Sequence, residues 1–229
     1  MKIKIHCHAG NLITISQKGD ELLLDIYDST YPLKAYRGRA NLIGGVQKKS
    51  DRSPKEILER EINEEFSNKG ENYNIMDSIM KEVVGEGPGA PRPERFAPES
   101  DIIRIRGELI NFKPYKDYLV KMPLIEGKEN KDFIVSVYSV TISQNIFELA
   151  KYNLLHGNSI KNEGLSKIIN MHSLIKGETL TARAAGIFIG DYFNVKLPNP
   201  EEVKASPIGV PRRYLKNYSN EFYYASHFI

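Results

Sequence analysis

The chain has only one cysteine, little net charge and no long apolar run. Because Cys7 stands alone, no disulfide can form within the chain. No stretch approaches the roughly 18 apolar residues that a membrane-spanning helix needs, so we expect no membrane partner. A net charge of +3 argues against a dedicated nucleic-acid scaffold, although nucleic acid stays a weaker alternative. The amino terminus, "MKIKIHCHAG", is too short for a signal peptide, and together with the lone cysteine it predicts a reducing, cytoplasmic location.

The rest of the composition is that of a folded, soluble protein. Hydrophobic residues make up 41% and charged residues 27%, close to the average for globular chains. A length of 229 residues suits one elaborated domain with insertions better than two small domains. There is no internal repeat and no low-complexity tract.

Strand patterns dominate the beginning and the middle of the chain. Residues 3–16 and 21–28 predict a hairpin joined by a tight turn at Lys18-Gly19-Asp20. The pair Gly44-Gly45 then marks a sharp change of direction or a close backbone approach. Alternating apolar residues predict further strands at the following three places: 101–110, 116–125 and 132–143.

The third of these patterns, "DFIVSVYSVTIS", fits a strand with one buried face, and the change of phase between Val137 and Val140 predicts a bulge or twist. Residues 85–100, "GEGPGAPRPERFAPES", are dense in glycine and proline and predict a loop, either for substrate or as a connector. Helical or short-strand patterns follow at 145–155, 165–175 and 181–193.

The segment "SPKEILEREINEEF" predicts a short acidic helix. Ser53 can cap its free amides, Pro54 suits the first helical position, and Glu56 completes a capping box. At about 100° per residue, Leu58, Ile62 and Phe66 would form one apolar seam. The same spacing places three glutamates in an arc about 100° wide beside that seam: Glu61, Glu64 and Glu65.

Carboxylates at the margin of a buried seam are drawn toward a cleft, where repulsion and desolvation raise their cost. Arg60 can reach Glu64 and Glu56, but one guanidinium does not neutralise three acids. An all-oxygen divalent-cation site, with Mg²⁺ first and Mn²⁺ second, is the natural answer. The alternative is an ordinary solvated surface helix.

The segment "GGVQKKSDRSPKEILEREINEEFS" resembles the Nudix box, whose pattern is Gly, five residues, Glu, seven residues, then Arg-Glu-apolar-any-Glu-Glu-any-Gly-apolar. Residues 60–65 match the Arg-Glu-apolar-any-Glu-Glu core without a gap. Three departures stand out. Arg52 replaces the early glutamate, Gly45 fits only with one extra loop residue, and Ser67 replaces the closing glycine. Glu56 is the expected substitute for the early glutamate, which supports the arginine of the box.

The resemblance implies an α/β (α+β) fold in which a mixed β-sheet is sandwiched between helices. Residues 1–197 would form this domain, with an insertion at about 67–130. Residues 198–229 would be a C-terminal extension. Its tyrosines and phenylalanines would pack onto the domain or onto a second subunit, which would make the protein a homodimer.

The resemblance also implies the chemistry of the site. Nudix enzymes hydrolyse a diphosphate linked to another group, and the catalytic residues would be Glu61, Glu64 and Arg60. Divalent ions, Mg²⁺ or Mn²⁺, would be held by Glu61, Glu64 and Glu65 and would activate a water. Glu61 or a loop acid such as Glu163 would serve as base.

Basic residues around the glycine pair could receive the phosphates of a substrate. The expected substrate-binding residues are Gly44, Gly45, Lys48, Arg37 and Arg39, with Lys49 beside them. His6 and His8 alternate along the first strand and resemble a two-ligand metal pair, or they are simply strand residues beside the core.

The predicted function is therefore metal-dependent hydrolysis of a diphosphate linkage in a nucleoside diphosphate derivative, with a small-molecule nucleotide as partner. Two alternatives stay open. One is a non-catalytic nucleotide-binding module, suggested by Arg52 and the irregular glycine spacing. The other is an RNA-cap-directed hydrolase, which is supported by the pI near 8.7 and the basic segment "PRRYLKNY".

Overall fold

The structure, a computed structural model, describes residues 7–27, 31, 34–67, 95–121, 132–162, 164–198 and 203–209. Its ten strands are β1 (Cys7–Ser16), β2 (Glu21–Ile26), β3 (Ala40–Asn41), β4 (Ile43–Val46), β5 (Arg95–Phe96), β6 (Lys113–Lys121), β7 (Asp132–Ile142), β8 (Asn158–Ser159), β9 (Leu165–Asn170) and β10 (Lys204–Gly209). The helices are α1 (Pro54–Glu65), α2 (Glu99–Leu109), α3 (Gln144–Leu155), α4 (Met171–Ile175) and α5 (Ala185–Phe193), and a single 3₁₀ turn spans Lys34–Tyr36.

Eight of these strands form one mixed sheet around β1. The strand order is β10-β6-β7-β1-β2-β3, with β4 also paired to β1 and β9 also paired to β2. β1 and β7 run parallel in unbroken register from Cys7 opposite Phe133 to Ser16 opposite Ile142, whereas the other pairs in this sheet are antiparallel. The predicted hairpin is confirmed as β1 and β2, and Gly19 supplies the positive φ of +80° that its turn requires.

Both faces of the sheet are covered by helices, because side chains alternate between the faces along each strand. Leu12 and Leu23 point into a core shared with α1, α2 and α3, whereas Ile13, Leu22 and Leu24 point into a core shared with α5. The predicted α/β (α+β) class, a mixed sheet between helices, is confirmed.

The strand predicted at 101–110 is wrong, because these residues form most of α2. Ile102, Ile105 and Leu109 recur at helical spacing and are buried, whereas the intervening Ile103 is 49% exposed. A run of isoleucines fits both the helical repeat and the alternation of a strand. The helix forms because it packs against α3. The strands predicted at 116–125 and 132–143 are confirmed in part by β6 and in full by β7.

The expectation that β7 has one buried face is wrong. Val137 packs in the core with α5, and Tyr138 and Val140 pack in the core with α1, α2 and α3. The change of phase along the strand reflects this two-sided burial. The register shift lies in β6 instead, between Pro114 and Lys116.

The loop predicted at 85–100 falls outside the described residues as far as residue 94. Its end is wrong, since β5 pairs in parallel with β8 and α2 begins at Glu99.

The domain boundaries stay predictions. Two described elements, α2 and β6, fall within the segment expected to be an insertion, yet they contribute Ile105 and Tyr118 to the cores. β10 falls within the expected C-terminal extension and pairs with β6. The aromatic residues beyond position 209 lie outside the described residues. None of the described helices has the length and apolar composition to span a bilayer.

Candidate functional site

Helix α1 begins and packs as its sequence predicts. The Ser53 hydroxyl accepts a hydrogen bond from the Glu56 amide at 3.2 Å, and Pro54 occupies the first turn. In a capping box the glutamate accepts from the amide of the capping residue, here Ser53. The Glu56 carboxylate accepts instead from the Arg52 amide, one residue earlier, at 3.0 Å. The apolar seam is confirmed, since its three side chains are fully buried against the sheet: Leu58, Ile62 and Phe66.

The glycine pair in β4 allows the helix and the strands to approach closely, as predicted. Gly44 has a φ of +146°, and a Cβ there would overlap the carbonyl oxygen of Gly10 in β1. A Cβ on Gly45 would overlap the carboxylate of Glu61. The carboxylate of Glu61 therefore lies directly against the backbone of β4, and a side chain at position 45 would displace it.

Arg60 is the centre of the charged network on α1. Its Nη1 donates to Glu61 at 2.6 Å and to Glu64 at 3.0 Å, whereas its Nε and Nη2 donate to Asp51 at 3.1 and 2.9 Å. Nη2 also donates to the Val46 carbonyl at 3.0 Å. Burial disfavours the charged guanidinium, but the bonds to Asp51 and Glu61 outweigh it and raise the pKa of Arg60. The guanidinium is thus fixed in one orientation with its charge retained.

Asp51 is the residue that supports Arg60, so the expectation that Glu56 does so is wrong. The side chain of Asp51 is 4% exposed and also accepts from the Lys48 amide at 2.7 Å. Burial acts to raise the pKa of Asp51, but hydrogen bonds from Arg60 and the Lys48 amide hold it below its usual range. Glu56 pairs instead with Arg52 at 3.1 Å.

Asp51 also accounts for the irregular spacing of the box. Five residues separate Gly45 from Asp51, which is the spacing the pattern requires between its glycine and its early acid. The additional residue lies between Asp51 and Arg60, in the turn that leads into α1. The sequence signal for Asp51 is an acid one position before the expected glutamate. Gly45 is displaced from its expected position in the same direction and by the same one residue.

Only one of the basic residues expected to bind substrate joins this network. Lys48 Nζ contacts the Glu64 carboxylate at 2.8 Å. Arg37 donates to the Tyr31 carbonyl at 2.7 Å and Arg39 to the Thr181 carbonyl at 3.4 Å. Both arginines therefore bond to backbone outside the α1 network, and their substrate-binding role stays a prediction.

Glu65 lies in a separate, buried ion cluster that the sequence did not reveal. Lys161, whose side chain is 3% exposed, contacts Asp25 of β2 at 2.6 Å and Glu65 at 2.7 Å. Burial raises the pKa of the Glu65 carboxyl to about 8, although the attraction of Lys161 acts to lower it. Nothing in the pattern around Lys161 pairs it with α1, because the contact depends on how the chain folds back after β8.

Two glutamates of the acidic trio are largely buried and the third is exposed, and the trio is not a ready-made metal cage. Side-chain exposure is 15% for Glu61, 10% for Glu65 and 46% for Glu64. Within the described part of the chain, no group of three or more His, Cys, Asp or Glu side chains is arranged to hold a metal ion. Around Arg60, the ion pairs join three carboxylates to two basic side chains, so one negative charge is in excess among them.

Of the remaining candidates, His8 and Lys49 lie within the described residues. His8 is a buried residue of β1, and burial lowers the pKa of its imidazole to about 4. This matches the alternative of a strand residue beside the core. His6 and Glu163 lie outside the described residues. Lys49 is exposed.

Comparison with known proteins gives no family assignment. No protein-family model matches the chain, and no curated protein does. Among solved structures, the chain is similar to a MutT protein from Methanosarcina mazei Go1, with 14% identity over 83% of this chain and 92% of that one and a TM-score of 0.38. A likeness at that level does not identify a family or an activity.

Proposed function

We propose that this chain is a divalent-metal-dependent hydrolase that cleaves a diphosphate linkage in a nucleoside diphosphate derivative. One observation supports this above all. Glu61 Oε1 and Glu64 Oε2 both lie within 3.0 Å of the same guanidinium nitrogen of Arg60. Mg²⁺ is usually bound through one or two carboxylates together with substrate phosphates, so two carboxylates directed at one cationic atom fit it without a third.

The donor set and the charge both suit such an ion. Carboxylate oxygens are the ligands that Mg²⁺ and Mn²⁺ prefer, and the ion pairs around Arg60 leave one negative charge uncompensated within the described residues. The chemistry that a bound divalent ion supplies is neutralisation of the diphosphate and a lowered pKa for an attacking water.

The residues of the chain would divide the other tasks among them. Lys48, on the loop after β4, would bind phosphate oxygens once its weak, exposed pair with Glu64 opens. Asp51 would keep Arg60 oriented toward the same phosphates. In the reaction, a water oxygen forms a new P–O bond as the bridging P–O bond of the anhydride breaks, and the bridging oxygen leaves with the other phosphate.

A second candidate is a module that binds a nucleotide without cleaving it. The observation that favours it is that every glutamate of the trio already has a basic partner in the protein, namely Arg60, Lys48 or Lys161. In that case phosphates would displace the carboxylates from Arg60 and Lys48, and no metal would be needed.

The experiment is a Mg²⁺-dependent release assay over a panel of nucleoside diphosphate derivatives. We expect Glu64→Gln to lower the rate by about a hundredfold, as loss of a single preorganised charge commonly does. Glu59→Gln is the matched control, because Glu59 lies on the same helix and pairs with the exposed Lys55 at 3.2 Å. Equal rates for wild type and Glu64→Gln would refute the proposal. Nucleotide binding without any hydrolysis would favour the second candidate.

A further inference from the structure

The buried cluster of Asp25, Lys161 and Glu65 has no part in the chemistry proposed above, although Glu65 belongs to the acidic trio. Lys161 Nζ lies 2.6 Å from Asp25 Oδ1 and 2.7 Å from Glu65 Oε2. The two acids come from β2 and from the last turn of α1. A cation is thus already held between two carboxylates from different elements, at hydrogen-bonding distances.

The segment that carries Lys161 is fixed to the end of α1. The Asn162 amide donates to the Glu65 carbonyl at 2.7 Å, and the Asn162 side chain donates to the Ser67 hydroxyl at 2.9 Å. The ammonium also lies over the ring of Phe66, 5.8 Å from its centroid. These contacts hold the segment of Lys161 against the end of α1, so the position of the ammonium is fixed by the backbone as well as by the ion pair.

A divalent ion and this ammonium cannot share the Glu65 carboxylate. Two cations a few ångströms apart repel strongly where water is excluded, and the Lys161 side chain is 3% exposed. The ammonium would have to leave a fully enclosed position before an ion could enter. The basic partners of Glu61 and Glu64 are less enclosed, since the side chain of Arg60 is 15% exposed and that of Lys48 is 57% exposed.

We propose that Lys161 is a built-in cation that occupies the Glu65 carboxylate, so that the metal site of this chain consists of Glu61 and Glu64 and takes a single divalent ion. The inference rests on the proposed function, since it assigns the ligands of the same site. Glu65 is then a positioning residue that fixes the end of α1 beside the site, and Lys161 supplies the charge that a second ion would otherwise bring.

The test measures Mn²⁺ binding to the full chain by electron paramagnetic resonance of the free ion. We expect one Mn²⁺ per wild-type chain, a dissociation constant raised at least tenfold by Glu64→Gln, and one changed by less than threefold by Glu65→Gln. Removal of the ammonium in Lys161→Met leaves two buried carboxyls with no partner, and we expect this variant to bind a second Mn²⁺. Lys161→Arg should restore the stoichiometry of one.

Each of these measurements either supports the inference or overturns it. A tenfold weaker affinity in Glu65→Gln would overturn the inference, and so would a folded Lys161→Met protein that still binds one ion. If Lys161→Met does not fold, the comparison of Glu65→Gln with Glu64→Gln decides alone. A wild-type chain that binds no Mn²⁺ would remove the metal-dependent function and the inference together, whereas dependence on Glu65 removes the inference only.

Discussion

Replacement of Asp51 by asparagine removes the charge that anchors Arg60 but keeps a side chain of the same size. In the wild-type protein the Asp51 side chain is 4% exposed and that of Arg60 is 15% exposed, so their pair is largely shielded from water. Loss of one partner from a buried pair costs about 3–5 kcal/mol. Arg60 keeps Glu61 and Glu64 as partners, and we therefore expect a smaller loss of about 2–3 kcal/mol, near the value of hydrogen bonds to a charged group.

The pH dependence of this loss has a definite sign. Hydrogen bonds from Arg60 and the Lys48 amide outweigh burial and hold the pKa of Asp51 below its ordinary 3.8 in the folded protein. A carboxyl with a depressed folded pKa stabilises the protein above its unfolded pKa, and the contribution is lost as the pH falls through the folded value. Asparagine does not titrate. The difference in unfolding free energy between wild type and Asp51→Asn should therefore shrink as the pH falls below 3.8.

Urea unfolding followed by far-ultraviolet circular dichroism at pH 7 and at progressively lower pH measures both quantities. Glu56→Gln is the matched control, since it removes an acid from the same region that pairs with the exposed Arg52, and we expect it to cost under about 1 kcal/mol. A loss in Glu56→Gln equal to that in Asp51→Asn would refute the assignment of Asp51. So would a difference that does not change with pH.

Two further changes test other contacts. Gly45→Ala should lower Mg²⁺-dependent hydrolysis at least tenfold, because its Cβ would overlap the Glu61 carboxylate. Gly107→Ala in α2 is the control, because its Cβ meets open space, and it should stabilise the protein by about 0.5–1 kcal/mol. Unchanged hydrolysis in Gly45→Ala would contradict the placement of Glu61. Asp191→Asn should destabilise the protein by about 1–2 kcal/mol at pH 7 in urea unfolding, because Asp191 accepts hydrogen bonds from Lys116 and two tyrosines of β6. Those bonds outweigh burial and lower the pKa of Asp191, so the same loss measured below pH 4 should be smaller, and an equal loss would contradict the contact.

The sequence predicted those elements whose signals are local. Ser53 and Pro54 predict the start of α1 because capping depends on the adjacent backbone alone, and Gly19 marks the hairpin turn for the same reason. The burial of the apolar seam on α1 follows from the helical repeat once the helix is known. Local propensity and periodicity therefore gave the framework of the candidate site.

The errors come from contacts between segments distant in sequence. The isoleucines of α2 fit both periods, and only their packing against α3 selects the helix. Lys161 reaches Glu65 across 96 positions of chain, a separation over which no spacing rule applies. Asp51 has a partial sequence signal, because it lies at the expected distance from Gly45. The contact that identifies its role is made by Arg60 on the next element.

Under the proposed function, α1 would carry one exchangeable cation site beside one fixed cation, and the ion pairs of Glu64 and Glu65 differ in energy accordingly. The Glu64 side chain is 46% exposed and its partner Lys48 is 57% exposed, and pairs of this kind contribute only about 0–1 kcal/mol, so an incoming divalent ion displaces the lysine at little cost. The Lys161 and Glu65 side chains are 3% and 10% exposed, and breaking such a pair by removing one partner costs about 3–5 kcal/mol. The like charge on α1 is therefore divided by depth. Glu65 is neutralised by the chain itself, whereas the pair of Glu64 with Lys48 is weak enough to yield to the proposed metal ion.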